Sequence, residues 1–251
     1  MMRWTWAKAS VKGTSHIRTG TRCQDSSVCD QIGQNRQVLA AIVSDGAGSA
    51  DFGGEGSALV CRNILQSARQ HFQSADQLPT DDEIWSWIDQ VRDRIALAAS
   101  HRNVASRQFA ATLVAAFVTP LKTLLLHIGD GATVLKMDDD WVVPSWPENG
   151  EYASMTFFVT DDPAPKLRIT RIAGTVAGVA VFSDGLEKLL LDFSTMQAHA
   201  PFFTGIFSPL MASNTAGRDN ALSSGLAKYL DGDAVNGRTD DDKSLVLAVK
   251  K

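Results

Sequence analysis

Three times in this chain an apolar run ends in a small residue and then Asp-Gly: Val43-Ser44-Asp45-Gly46, Ile128-Gly129-Asp130-Gly131 and Phe182-Ser183-Asp184-Gly185. A fourth acidic cluster, Asp240-Asp241-Asp242, stands just before the last apolar run at residues 244–249, and Asp25 follows Cys23-Gln24. Short apolar runs rich in β-branched and aromatic residues read as strands. The chain must therefore fold around sheets whose ends carry carboxylates. Taken singly, each aspartate has a plain structural use. Asp-Gly favours hairpin turns, and Asp130 suits one best, because residues 124–128 and 132–136 would make a hairpin around it. Asp184 could cap a helix beginning at Leu186, and Asp241 could occupy a solvated turn. Asp45 resists such a reading. It ends the most apolar run, QVLAAIVS at residues 37–44, and enters GAGSADFGGEG, a loop too long for a hairpin.

Further strands are expected at residues 3–10 (Trp4, Trp6 and Lys8 sharing one face), 111–118, 123–128, 132–136, 167–172 and 178–183. Two long helices follow from apolar stripes at the helical period: Ala58, Cys61, Leu65, Ala68 and Phe72, then Ile84, Ile88, Val91, Ile95 and Ala98. Pro79, Thr80 and Glu83 form a capping-box start for the second. Shorter helices are expected after Asp184 and at about 220–230. Clustered strands with grouped helices favour an α+β fold, packed antiparallel sheets covered by helices, over a doubly wound parallel sheet. The 251 residues fit one domain spanning 1–251. The irregular stretch at about 138–166 reads as a surface loop or flap.

The formal net charge is −4, from 24 Lys and Arg against 28 Asp and Glu, which argues against nucleic acid as a partner and against a two-metal nuclease. Three cysteines are too few for a disulfide framework and fit a reducing compartment. The start, MMRWTWAKAS, lacks the apolar core of a signal peptide, and no apolar run reaches membrane-spanning length. The expectation is a soluble, cytoplasmic protein with no membrane partner.

If the strand ends converge, several carboxylates share one site, and like charges at close range cannot all stay ionised without compensation. No run of Arg, Lys or His accompanies them. The economical compensation is a divalent ion, and an all-oxygen donor set selects Mg²⁺ or Mn²⁺ over Zn²⁺. The five histidines (His16, His71, His101, His127 and His199) show no HExxH or paired spacing, and His16 is the one to watch. Two hard ions bridged by a carboxylate and a water acidify that water and neutralise a phosphate, so the pattern points to phosphoryl hydrolysis. The loop Gly46-Ala47-Gly48-Ser49-Ala50-Asp51 has Asp where a GxGxxG motif needs its third glycine and lacks a following GK[ST], so it is no dinucleotide loop or P-loop.

The motifs, in order, resemble the metal-dependent protein phosphatases of type 2C (the PPM family). The resemblance is carried by GTSH with RTGTRCQDS (residues 13–26), VSDGAGSADFGGEGS (43–57), FAATLVAAFV (109–118), LHIGDGATVL (126–135), VFSDGLEKLL (181–190) and DDKSLVLAV (241–249). It spans nearly the whole chain. GTSH…CQD and ENGEYAS…FF (148–158) look like the compact bacterial branch, whose members occur with eukaryote-like Ser/Thr kinases. The resemblance implies a β-sandwich of two antiparallel sheets flanked by helix pairs. It also implies hydrolysis of phosphoserine and phosphothreonine in proteins by in-line attack of a water bridging two Mn²⁺ or Mg²⁺ ions. By position, Asp45 would bridge both metals, the Gly46 carbonyl would bind the second, and Asp184 and Asp241 would complete the first. Asp25 would orient the water, and Asp130 with Asp184 would serve a third ion.

Three departures from the family pattern matter. Gly20 stands where many relatives carry a phosphate-binding Arg, leaving Arg18, Arg22 and His16 as candidates for the substrate phosphate. Ala47 stands where some have a general-acid His. Gly131 and Ala132 replace the Ser and Arg of GDSR. The departures at Gly20 and Ala47 support an alternative, a catalytically weak binding or regulatory module of the same fold that partners a Ser/Thr kinase.

Overall fold

The computed structural model describes residues 3–148 and 156–251. The apolar runs pair into two sheets. One has six strands in the order Gly217–Arg218, Trp4–Val11, Lys243–Lys250, Gly178–Phe182, Ala132–Met137 and Asp140–Ser145. The other has five: Ser26–Ile32, Val38–Ser44, Leu113–Val118, Lys122–Ile128 and Arg168–Ala173. All pairings in both sheets are antiparallel except the two-residue Gly217–Arg218 segment, which runs parallel to Trp4–Val11.

Alternation along each strand sends side chains to two apolar layers. Trp4, Trp6, Leu39, Val43, Val181 and Val246 meet between the sheets. On the outer face of the five-stranded sheet, Ile42, Phe117 and Leu126 pack under the long helices Gly53–Ser74 and Asp81–Arg102 through Ile64, Phe72, Ile88 and Ile95. On the outer face of the six-stranded sheet, Ala9, Val134 and Leu247 lie under Ala200–Ala212 and Asn220–Leu230 through Phe203, Phe207 and Leu226. The order of layers is helix, sheet, sheet, helix. Val38–Ser44 and Leu113–Val118 are buried at every residue because both of their faces are covered. The capping box is in place: Glu83 N donates to Thr80 Oγ1 at 3.3 Å and Thr80 N donates to Glu83 Oε2 at 2.7 Å. A cap of this kind contributes about 1 kcal/mol.

The expected hairpin around Asp130 is not formed. Lys122–Ile128 belongs to the five-stranded sheet and Ala132–Met137 to the six-stranded one, so Gly129-Asp130-Gly131 carries the chain from one sheet to the other. Gly129 has φ +107, and a Cβ on Gly131 would lie 2.6 Å from the Phe182 carbonyl oxygen, so the crossing passes through a gap only glycines fit. The longer elements that had no sequence signal include the strands Ser26–Ile32 and Asp140–Ser145 and the helices Thr14–Thr19 and Ala200–Ala212. Asp140–Ser145 turns the first part of the expected flap into an edge strand. Residues 149–155, which include most of ENGEYAS, lie outside the described residues.

Candidate active site

Strand register brings the aspartates to one end of the sandwich. Ser26 pairs with Ser44, which sets Asp25 beside Asp45. Leu245 and Ala132 both pair with Phe182, from opposite sides, so the Asp241 and Asp130 segments flank Ser183-Asp184. A cavity of about 420 Å³ opens there, lined by Asp45, Gly46, Asp130, Asp184 and Asp241, with His16, Gln24, Thr112, Thr156 and Phe158 completing the wall. Gly46 must be glycine, since a Cβ there would lie 2.2 Å from the backbone of Gly53, where the loop folds back on the long helix.

Five sequence-selected residues and His16 therefore meet in one cavity. Asp25 sits a layer behind Asp45 and is buried. Its Oδ2 accepts from Ser183 Oγ at 2.7 Å, and its Oδ1 is buried without a hydrogen-bond partner among the described residues. Arg18 and Arg22 are not in the wall. Arg18 projects outward from the short helix Thr14–Thr19 and pairs with Asp240 at 2.9 Å, both side chains being exposed. Gln24 is buried and reaches the cavity beside Asp45.

The cavity is electrostatically uncompensated. Burial, then the charges of Asp25 and Asp184, push the Asp45 carboxyl well above the usual range. Burial, then Asp130 and Asp241, raise Asp184 to about 8. Burial raises Asp25 to about 6 and also lifts Asp130 and Asp241. No Arg or Lys among the described residues lines the cavity. Asp184 Oδ1 is buried without a hydrogen-bond partner. Desolvated carboxylates that repel each other and keep open lone pairs are the donor set that a hard divalent cation answers. Among the described residues, no three His, Cys, Asp or Glu side chains already close on one point as a finished shell. The carboxylates stand around the cavity, an arrangement suited to ions that keep several waters.

Sequence reasoning missed Asp242. Its Oδ1 accepts from Gly13 N at 2.6 Å, its Oδ2 accepts from Gln24 N at 2.5 Å, and His16 Nδ1 lies 3.0 Å from Oδ1. This carboxylate ties the His16 helix and the Gln24-Asp25 segment to the strand that follows Asp241. The only signal was its place beside Asp241 in a run of three aspartates. Thr112 and Thr156 were also missed. Thr112 Oγ1 accepts from Asp45 N at 2.9 Å, and Thr156 Oγ1 donates to Asp130.

An antiparallel sandwich between helix layers, with carboxylates at the strand ends, is the fold class of the metal-dependent serine/threonine phosphatases. Residues 12–231 match the family described as Protein phosphatase 2C. Serine/threonine-protein phosphatase 3 of Escherichia coli (strain K12) is 36% identical over 251 residues, covering 99% of each chain. Two solved structures share the fold. One is PppA, a key regulatory component of T6SS in Pseudomonas aeruginosa (TM-score 0.67, 17% identity, 99% of this chain and 98% of that one). The other is the catalytic domain of the serine threonine protein phosphatase PstP in complex with two manganese ions (TM-score 0.62, 15% identity, 100% and 99%). The chain belongs to the protein phosphatase 2C family.

Proposed function

We propose that this chain is a single catalytic domain that removes phosphate from phosphoserine and phosphothreonine in proteins, with Mn²⁺ or Mg²⁺ held by Asp45, the Gly46 carbonyl, Asp184 and Asp241. Asp130 and Asp184 would hold a further ion. The observation that carries the reading is Asp45, half-buried and set against the charges of Asp25 and Asp184, with no Arg or Lys in the cavity wall among the described residues. Bound divalent ions supply charge neutralisation for the carboxylates and the phosphate, and acidify the attacking water.

The chain's own residues do the rest. Thr112 fixes the backbone of Asp45, so its carboxylate does not need a flexible loop to aim it. Asp25, oriented by Ser183, is the acceptor that orients the attacking water. Among the described residues His16 is the one basic side chain in the wall; its Nδ1 lies 3.0 Å from Asp242 Oδ1, which leaves the other ring nitrogen for a phosphate oxygen. That contact takes the place of the missing Arg at Gly20 and does not involve Arg18 or Arg22. Ala47, Ala50 and Ala110, with Phe158 packed on them, form a small apolar shelf at the rim against which a substrate side chain can lie.

Phosphorylated proteins are the substrates in this reading, and a eukaryote-like Ser/Thr kinase is the natural counterpart. Among the described residues, no helix is long and apolar enough to cross a membrane. The three cysteines are free. We place the enzyme in the cytoplasm. The test is hydrolysis of p-nitrophenyl phosphate and a phosphothreonine peptide with Mn²⁺, with Mg²⁺ and with EDTA. Turnover with either ion and none with EDTA is expected. A folded protein with no turnover under either ion would overturn the reading in favour of a binding module.

A further inference from the structure

A second pocket, of about 450 Å³, opens on the edge of the sandwich where Trp4–Val11 and Ser26–Ile32 approach under the helix Asn220–Leu230. Its polar wall is made of Lys8, Arg218 and the serines Ser10, Ser26, Ser27, Ser223 and Ser224. Neither Lys8 nor Arg218 has a carboxylate within ion-pair distance among the described residues. At its inner end the pocket reaches Asp25, whose Oδ2 accepts from Ser183.

Hydrogen-bond accounting leaves Lys8 and Arg218 with donors that no protein acceptor among the described residues takes up. Lys8 Nζ makes one bond, to the Ser27 carbonyl at 2.7 Å, which leaves two of its three protons. Arg218 donates only from Nε, at 3.4 Å to Ser223 Oγ, so both terminal nitrogens are free. Ser244 Oγ donates to Ser10 Oγ at 2.6 Å, and Ser10 and Ser27 share a bond at 3.0 Å, so one hydroxyl proton of that pair is unused. Ser57 Oγ donates to the Gln24 carbonyl at 2.5 Å, so in the Ser26–Ser57 contact at 3.1 Å Ser26 supplies the proton. The half-buried Lys8 ammonium is pushed below its ordinary range by burial and by the facing Arg218 guanidinium. Two like charges with spare donors are stabilised by an anion that accepts from both.

We infer that the Lys8–Arg218 pocket is a binding site for a phosphate-type oxyanion, separate from the carboxylate cavity. The inference goes beyond the catalytic reading and does not need it: Lys8, Arg218 and the Ser10–Ser27 pair have no part in the proposed metal site, although Asp25 closes the pocket's inner end. The oxyanion has two sources in a phosphatase: inorganic phosphate released by the reaction, or the phosphate of a second modified residue on a substrate. Either would seat its oxygens between the ammonium and the guanidinium, with the spare hydroxyl proton of the Ser10–Ser27 pair as a neutral donor.

The experiment is calorimetric titration of inorganic phosphate, and separately of a phosphoserine peptide, into the protein in EDTA, where the carboxylate cavity repels anions. Saturable binding is expected for the wild type, weakened at least about tenfold in Lys8→Met and in Arg218→Gln, as for loss of a charge-assisted bond. Arg218 is exposed, so if Lys8→Met fails to fold, Arg218→Gln carries the test alone. Tighter binding of the peptide than of phosphate assigns the site to substrate docking, and equal or weaker binding assigns it to product. No saturable binding of either probe, or unchanged affinity in Arg218→Gln, overturns the inference. Metal-dependent turnover, measured in parallel, reports on the catalytic reading separately.

Discussion

Thr112 and Asp45 hold each other by a reciprocal pair of hydrogen bonds. The Asp45 amide donates to Thr112 Oγ1 at 2.9 Å, and the Thr112 amide donates to the Asp45 carbonyl at 2.8 Å. Ser44 Oγ adds a third bond, to the Thr112 carbonyl at 2.5 Å. One residue further on, Gly46 still bridges to Ala111. The pairing between Val38–Ser44 and Leu113–Val118 thus runs on past the last regular rung. The carboxylate proposed to touch two ions is aimed by a sheet.

Thr112→Val keeps the side chain's shape and removes the acceptor of the Asp45 amide. The expected loss is about 1 kcal/mol of stability, read as a lower midpoint in urea, together with a clear drop in turnover number. Thr112→Ser should retain most of both. A valine variant with full turnover would show that the bond does not aim Asp45.

Asp242 stands under the site in a similar supporting way. Asp242→Ala leaves the Gly13 and Gln24 amides without their acceptor and releases His16. The expected cost is about 1–3 kcal/mol for each buried amide left unpaired. Denaturant unfolding measures that cost, and turnover should fall in the surviving folded fraction. Asp242→Asn, which keeps one oxygen, should fall between the two.

Asp130→Ala should fold, because the crossing between the sheets depends on its glycines and not on the carboxylate. It removes the partner of Thr156 Oγ1 and one of the charges that raise Asp184. The expected defect is smaller than for the other cavity aspartates and differs between p-nitrophenyl phosphate and a phosphopeptide. Comparing kcat/KM for the two substrates measures it. Equal and complete loss on both would place Asp130 with the essential cavity aspartates instead.

A pH dependence follows from His127. Burial, then the Arg168 guanidinium, lower its pKa to about 3, and Arg168 Nη2 donates to Nδ1 at 2.8 Å. The folded pKa lies below the unfolded value of about 6.5. The neutral ring's contribution is therefore complete above about pH 6.5 and is lost as pH falls toward 3. In His127→Gln that acid-side loss should flatten, seen as a smaller fall in thermal midpoint between pH 6.5 and 4 than in the wild type.

The sequence was most legible where packing is two-sided. Val38–Ser44 and Leu113–Val118 read as buried strands because both faces meet apolar layers. Ser26–Ile32 did not, because it is an edge strand whose Ser26, Asp30 and Gln31 hide any alternation. Pro209 masked the helix Ala200–Ala212. Periodicity identifies a strand but not the sheet it joins, and the Asp130 hairpin reading failed for that reason. Within the site, Asp45, Asp184, Asp241 and Asp130 were recoverable because each stands at a strand end. In Asp241-Asp242, neighbours point to opposite sides of an extended chain. One lines the cavity and the other anchors the backbone, a division composition cannot show. Arg18 and Arg22 lay close in sequence to the acidic motif, but the short helix turns Arg18 outward to Asp240.

The most direct measurement is turnover of a phosphothreonine peptide by the wild type and by Asp45→Ala at saturating Mn²⁺, with thermal melts in Mn²⁺ and in EDTA for both. The wild type should turn over and melt higher with Mn²⁺, since a ligand that binds only the folded state raises its stability. Asp45→Ala should remain folded in EDTA, lose the Mn²⁺ shift and show no turnover. Full activity in a folded Asp45→Ala protein would contradict the account, because the residue proposed to bridge the ions would then be dispensable.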